Sequence, residues 1–193
     1  MSKYIPTVVE SGEKGERAFD LYSRMLRDRI IFIQGGIDTD MANNVVAQLL
    51  FLEAEDPKAD ITIYIHSPGG CIASGMSIVD TIQMIKPDVV TIITGYAASM
   101  GSIIAVSGTK GKRFALKNAQ HMIHQPLTGV PPHTQATDIQ ITHEHIQMYK
   151  EKLTKHYADH TTADLEWLKT TLERDYWMQV DECLERGFID KIL

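Results

Sequence analysis

Two five-residue runs, Ile61-Thr-Ile-Tyr-Ile65 and Val89-Val-Thr-Ile-Ile93, constrain this chain more than any other feature. β-Branched and aromatic residues fit a pleated surface, and runs that stay apolar without alternating belong to strands covered on both faces. Each run leads into turn residues and then into helical spacing. Ser67-Pro-Gly-Gly70 precedes a helix expected over Ile72–Ile85, and Gly95 precedes one expected over Ala97–Ser107. Parallel strands need long crossovers between them, so this alternation predicts an α/β fold with a parallel sheet, right-handed connections and helices over its faces.

The rest of the chain extends the pattern. Residues 1–19 read as a mobile N-terminal segment with an apolar patch, Tyr4-Ile5 and Val8-Val9, and residues 20–193 as a single domain. A helix is expected over Ala18–Arg27 and a strand over Arg29–Ile33. Asp38-Thr39-Asp40 supplies capping side chains for a helix over Met41–Glu55. Short strands are expected at Phe114–Leu116 and His121–Ile123. A proline-rich stretch, Pro126 to Pro132, leads to a long helix over Gln135–His160, followed by helices over Ala163–Glu173 and Val180–Arg186. The long helix is mostly polar, with Ile139, Ile141, Ile146, Met148 and Leu153 as its apolar residues. Such a helix packs weakly on its own body and is expected to project towards a neighbouring subunit.

Composition narrows the function classes. With 44% hydrophobic and 23% charged residues in 193, the chain is globular in type. A net charge of −6 argues against a nucleic-acid surface, which is normally basic. Two distant cysteines, Cys71 and Cys183, exclude a disulfide framework and fit a reducing compartment. There is no apolar run long enough for a membrane span, and the N-terminus lacks the apolar centre of a secretory signal, so a cytoplasmic protein is expected.

Chemistry concentrates at strand ends. In Gly95-Tyr-Ala-Ala-Ser99-Met-Gly101 a serine follows an apolar strand and opens a helix, where free N–H groups and the helix dipole favour developing negative charge. From this segment alone Ser99 reads first as a plain N-cap, and Ala97 departs from the Gly-x-Ser-x-Gly elbow. Ser67-Pro-Gly-Gly70 is either a tight turn or a source of N–H groups for a ligand oxygen in the same crevice. A serine nucleophile needs a base. Of eight histidines, His121 and His124 lie in and after a strand, His66 is a rival beside the Pro-Gly-Gly turn, and His133 lies in the proline-rich stretch. His143, His145, His156 and His160 read as solvated on the long helix. His156 and His160 have helical metal-chelating spacing, but no acidic or cysteine partner accompanies them, so no metal site is expected. Asp175, in Glu173-Arg-Asp-Tyr-Trp177, is either an orienting acid or part of a surface charge cluster.

Taken together, Ser67-Pro-Gly-Gly70, Gly95-Tyr-Ala-Ala-Ser99-Met-Gly101, Met122-Ile-His-Gln-Pro126 and Gln135-Ala-Thr-Asp138 resemble the proteolytic subunits of the Clp protease family. Tyr4-Ile-Pro6, Gly15-Glu-Arg17, Asp28-Arg-Ile30 and Leu49-Leu-Phe-Leu52 carry the resemblance further, and it covers Tyr4 to Leu193. It implies a crotonase-type superhelical α/β fold built of ββα units with a protruding handle helix, the handle region spanning about residues 125–160. It implies Ser99 as nucleophile, His124 as general base, Asp175 as orienting acid, and Gly70 and Met100 as oxyanion-hole donors. Gln135 and Arg174 match positions linked to ring contact. The implied activity is a serine endopeptidase that degrades unfolded proteins inside a chamber of stacked heptameric rings. An ATP-dependent AAA+ unfoldase of the ClpX, ClpA or ClpC type would feed it, and no cofactor of its own is implied. The chain departs from the family pattern at His66, Cys71, Lys117, Thr128, Val130-Pro-Pro-His133 and His145. Those departures motivate a second reading, a weakly active scaffold subunit of a mixed ring. A third reading is a crotonase-type acyl-CoA enzyme, which would not need Ser99.

Overall fold

A computed structural model describes residues 5–12 and 15–193. The chain opens with two antiparallel strands, β1 (Thr7–Gly12) and β2 (Gly15–Asp20), paired from Thr7↔Asp20 to Gly12↔Gly15. Regular structure therefore occupies much of the segment that the sequence reading left without any, while Tyr4 of its apolar patch lies outside the described residues. Helix α1 (Leu21–Arg27) starts later than Ala18 because Asp20 caps it, accepting the Ser23 N–H at 3.0 Å.

Strand β3 (Ile30–Gln34) and helix α2 (Thr39–Glu55) follow, with Asp38 accepting the Met41 N–H at 2.8 Å as the capping triplet predicts. Then come β4 (Ile61–Ser67), α3 (Ile72–Met84), β5 (Val89–Ala98), α4 (Met100–Val106), β6 (Arg113–Ala115) and β7 (Gln120–Ile123). The C-terminal part holds α5 (Ala136–His160), α6 (Leu165–Thr171), β8 (Tyr176–Gln179), α7 (Val180–Glu185) and β9 (Lys191–Ile192). Strands β3-β4-β5-β6-β9 lie in that order, parallel throughout. The far end of β5 leaves β6 and pairs instead with β7, which pairs antiparallel with β8.

One expectation about the sheet needs correction. Ile31, Ile33, Ile61, Ile63 and Ile65 are fully buried, but the alternate residues Phe32, Thr62 and Tyr64 are only half-buried. The second face is lined by aromatic rings in series: Tyr22 to Phe32 at 5.5 Å and Phe32 to Tyr64 at 5.6 Å. Continuous apolarity misled because large half-exposed aromatics and fully buried isoleucines read alike in sequence. Strand β5 also runs five residues beyond Ile93. Its register against β4 shifts between Ile65/Ile93 and Ser67/Ala97, and Gly95 lies under the His66 ring, where a Cβ would meet Cε1 at 2.8 Å.

The long helix is divided. Ile139, Ile141 and Met148 in its N-terminal half are exposed, whereas Leu153, Thr154, His156 and Tyr157 are buried in the body. Weak self-packing holds for the N-terminal part only. His156 is not solvated: its Nε2 lies 2.9 Å from Ser107 Oγ, and its ring stacks on His160 at 4.0 Å. The C-terminus is tied to β6 by Arg113, 3% exposed, which meets Asp190 through Nε at 2.9 Å and Nη2 at 2.7 Å.

Candidate active site

The sheet brings three distant residues to one point. Strand β5 ends at Ala98 and α4 begins at Met100, so Ser99 occupies the junction with φ 55° and ψ −122°. A positive φ is costly for a residue with a Cβ, of order 1–3 kcal/mol, and the strain turns the serine out of the ladder. The Ser99 N–H donates to Met122 O at 2.9 Å, which locks the junction to β7. Although Ala97 breaks the elbow motif, the backbone adopts the strained strand-to-helix turn that such motifs encode.

The strand neighbours supply the rest. Because β7 lies parallel beside the end of β5, His124 leaves its C-terminal end next to Ser99. Ile123 pairs with Tyr176 across the antiparallel β7–β8 ladder, so Asp175, one residue before β8, faces His124, one residue after β7. Ser99 Oγ is 2.8 Å from His124 Nε2, and His124 Nδ1 is 2.9 Å from Asp175 Oδ1. A carboxylate only accepts, so Nδ1 carries the proton and Nε2 presents its lone pair to the serine hydroxyl. The imidazole is sheltered at 11% side-chain exposure, while the Asp175 side chain is 65% exposed.

The Pro-Gly-Gly turn meets the same junction. Gly69, at φ 90°, lies so close that a Cβ there would meet Ser99 Cβ at 2.7 Å and Met100 N at 2.8 Å. Gly70 bridges Ile37. Among the described residues the N–H groups of Gly70 and Met100 have no protein acceptor. Both residues line a cavity of about 230 Å³ with Ser99 and His124. The buried Ile103, Leu153 and Tyr157 line it too, as does Leu127, which is 76% exposed. A hydroxyl aimed at an imidazole nitrogen, beside two N–H groups without a protein acceptor and an apolar recess, suits acyl transfer to serine.

The other candidates lie elsewhere. The His66 ring packs edge-on against Tyr96 at 4.6 Å, and the hydrogen bond of Ser99 Oγ goes to His124 instead. His133 is exposed in its loop with φ 64°, and His143 and His145 are exposed on α5. His121 is buried against Ser102 Oγ at 2.9 Å. His156 and His160 use ring nitrogens on Ser107 and Gln83, and no metal-holding group of three His, Cys, Asp or Glu occurs among the described residues. Gln135 is exposed at the N-cap of α5, and Arg174 is exposed and donates to Glu173 O at 2.7 Å, so neither joins the serine. The sequence reading missed β8, the element that aims Asp175; its signal was the Tyr176-Trp-Met run after the acid. It also missed the buried Ser102–His121 pair, which no short spacing announces.

Comparison with known proteins places the chain in a family. The family model described as Clp protease matches residues 13–193. The "ATP-dependent Clp protease proteolytic subunit" of Lactococcus lactis subsp. cremoris (strain SK11) is 50% identical over 193 residues, covering 100% of this chain and 97% of the relative. The protein of the same name from Streptococcus suis (strain 98HAH33) is 51% identical over 189 residues, covering 98% of this chain and 96% of the relative. With a match of that extent and relatives of that identity, the chain belongs to the Clp protease family.

Proposed function

We propose that this Clp-family protease is a serine endopeptidase acting on unfolded polypeptide by acyl transfer. The single observation that carries the reading is the continuous hydrogen-bonded chain from Ser99 Oγ through His124 to Asp175 at a strained strand end. Ser99 Oγ attacks the scissile carbonyl while His124 Nε2 takes its proton. Asp175 holds the imidazole with Nδ1–H towards it and stabilises the imidazolium that forms. The Gly70 and Met100 N–H groups receive the oxyanion. His124 then protonates the leaving amine, and water hydrolyses the acyl-enzyme. The aligned chain favours a working enzyme over a scaffold subunit, and an acyl-CoA enzyme would leave Ser99 without a task.

The relatives' name attaches ATP dependence to them, and this chain carries no Gly-x-x-x-x-Gly-Lys-[Ser/Thr] loop. ATP would therefore be spent by a separate AAA+ unfoldase that delivers unfolded chains to a chamber of stacked heptameric rings. The exposed apolar residues of the first turns of α5, with Gln135 and Arg174, suit contacts between copies. No helix among the described residues is long and apolar enough to cross a membrane, which is compatible with a cytoplasmic setting. A fluorophosphonate probe tests the chemistry. Labelling and short-peptide cleavage should both vanish in Ser99→Ala; undiminished labelling of that variant would overturn the assignment.

A further inference from the structure

One buried ring is poorly served where it lies. His121 on β7 is 1% exposed, yet among the described residues its Nε2 has no hydrogen-bond partner. Its other nitrogen, Nδ1, lies 2.9 Å from Ser102 Oγ on α4, a residue with no exposure at all. That hydroxyl accepts from Tyr157 Oη at 3.1 Å, and among the described residues its own proton has no acceptor but His121 Nδ1. The ring proton therefore sits on Nε2, facing no acceptor. A buried N–H without a partner costs stability, and an apolar side chain of similar size would avoid that cost. What a histidine supplies here is the Nδ1 acceptor for Ser102.

That bond spans the two elements that meet at the site. Ser102 lies one turn beyond Ser99, whose carbonyl accepts the Ser102 N–H at 3.0 Å. His121 pairs with Ala97 of β5 and stands three residues before His124. The bond from Ser99 N–H to Met122 O ties the junction to β7 at one point, which does not fix the direction in which α4 leaves it. A second tie one turn away does. We propose that Ser102 and His121 are positioning residues, whose buried hydrogen bond holds α4 against β7 and thereby holds Ser99 Oγ on His124 Nε2. This rests on Ser99 and His124 being nucleophile and base.

The test uses full-length wild type, Ser102→Ala, His121→Leu and the double variant. Fluorophosphonate labelling run to completion counts the reactive serines, and kcat on a short fluorogenic peptide is divided by that count. Partial misfolding lowers the count and leaves kcat per site unchanged. Each single variant should lose about tenfold in kcat per site with KM within about twofold, since a misplacement of about 1 Å can cost up to about 10²-fold. The double variant should fall no further than the worse single one, because the same bond is lost in all three. A loss smaller than about threefold in Ser102→Ala overturns the proposal, as does a double variant that shows the product of the two single losses. Should Ser102→Ala fail to fold, the same threshold applied to His121→Leu decides. Labelling that persists in Ser99→Ala would instead sink the nucleophile assignment, so the two failures are told apart.

Discussion

At the scale of single residues, exposure separates the members of the site. Asp175 is 65% exposed at its side chain while its imidazole partner is 11% exposed. Water can take over part of the carboxylate's hold on Nδ1–H, whereas nothing replaces the Ser99 hydroxyl. Asp175→Asn should therefore lower kcat by about 10²-fold, the lower part of the range for general acid–base contributions, with KM little changed. Ser99→Ala should leave no covalent turnover. Steady-state kinetics on a short peptide decides; equal losses in the two variants would contradict this ordering. Gly70 is more demanding. At φ 154°, a Cβ there would meet Ile37 O at 2.2 Å, so Gly70→Ala must displace the turn and its N–H. Losing one oxyanion donor costs about 10²–10³ in kcat, and that is the expected fall, with fluorophosphonate labelling slowed in parallel.

At the scale of elements, the strands were legible where chemistry and pattern coincide. The isoleucine-rich β3, β4 and β5, the Asp38 cap and the Ser99 junction all announce themselves in local residue types. The proposed base and acid did not, because their placement depends on pairing: β7 joins the far end of β5, and β8 joins β7 in the opposite sense. Four-residue strands of that kind carry too few residues for periodicity to speak. The fate of His156 was hidden for a similar reason. Polar surroundings in sequence suggested solvent, yet one turn of α5 is sunk against α4, and Ser107 satisfies the ring. A partly buried pair shows how such ties hold elements together. Arg113 on β6 meets Asp190 before β9; burial alone would raise the Asp190 carboxyl, but hydrogen bonds from Arg113 hold it below the ordinary value. Arg113→Met leaves that half-buried carboxylate with only the backbone N–H groups of Gly111 and Arg113, which should destabilise the fold by about 1–3 kcal/mol. A urea titration followed by circular dichroism would show it as a lower midpoint, and an unmoved midpoint would refute it.

At the scale of the whole molecule, two buried histidines set how stability answers to acid. Burial, helped by the charge of Arg113, lowers His121 from 6.5 to about 3. Burial, helped by His160, lowers His156 from 6.5 to about 4. Above the ordinary imidazole value neither the folded nor the unfolded chain binds these protons, so stability is at its full value. As pH falls through 6.5 the unfolded chain takes them up, but the folded chain does not until about 4 and about 3, so stability drops across that window. Between about pH 7.5 and pH 5 each ring should cost about 2 kcal/mol. His156→Leu removes one of the two, with an apolar side chain that suits the site's burial but leaves the Ser107 hydroxyl with its bond to Ile103 O. Its unfolding midpoint should therefore shift less between the two pH values than that of the wild type, whatever its stability at pH 7.5. Parallel pH dependence in the two proteins would mean that His156 takes up its proton in the folded state as readily as in the unfolded one. Burial would then not be what keeps the ring neutral.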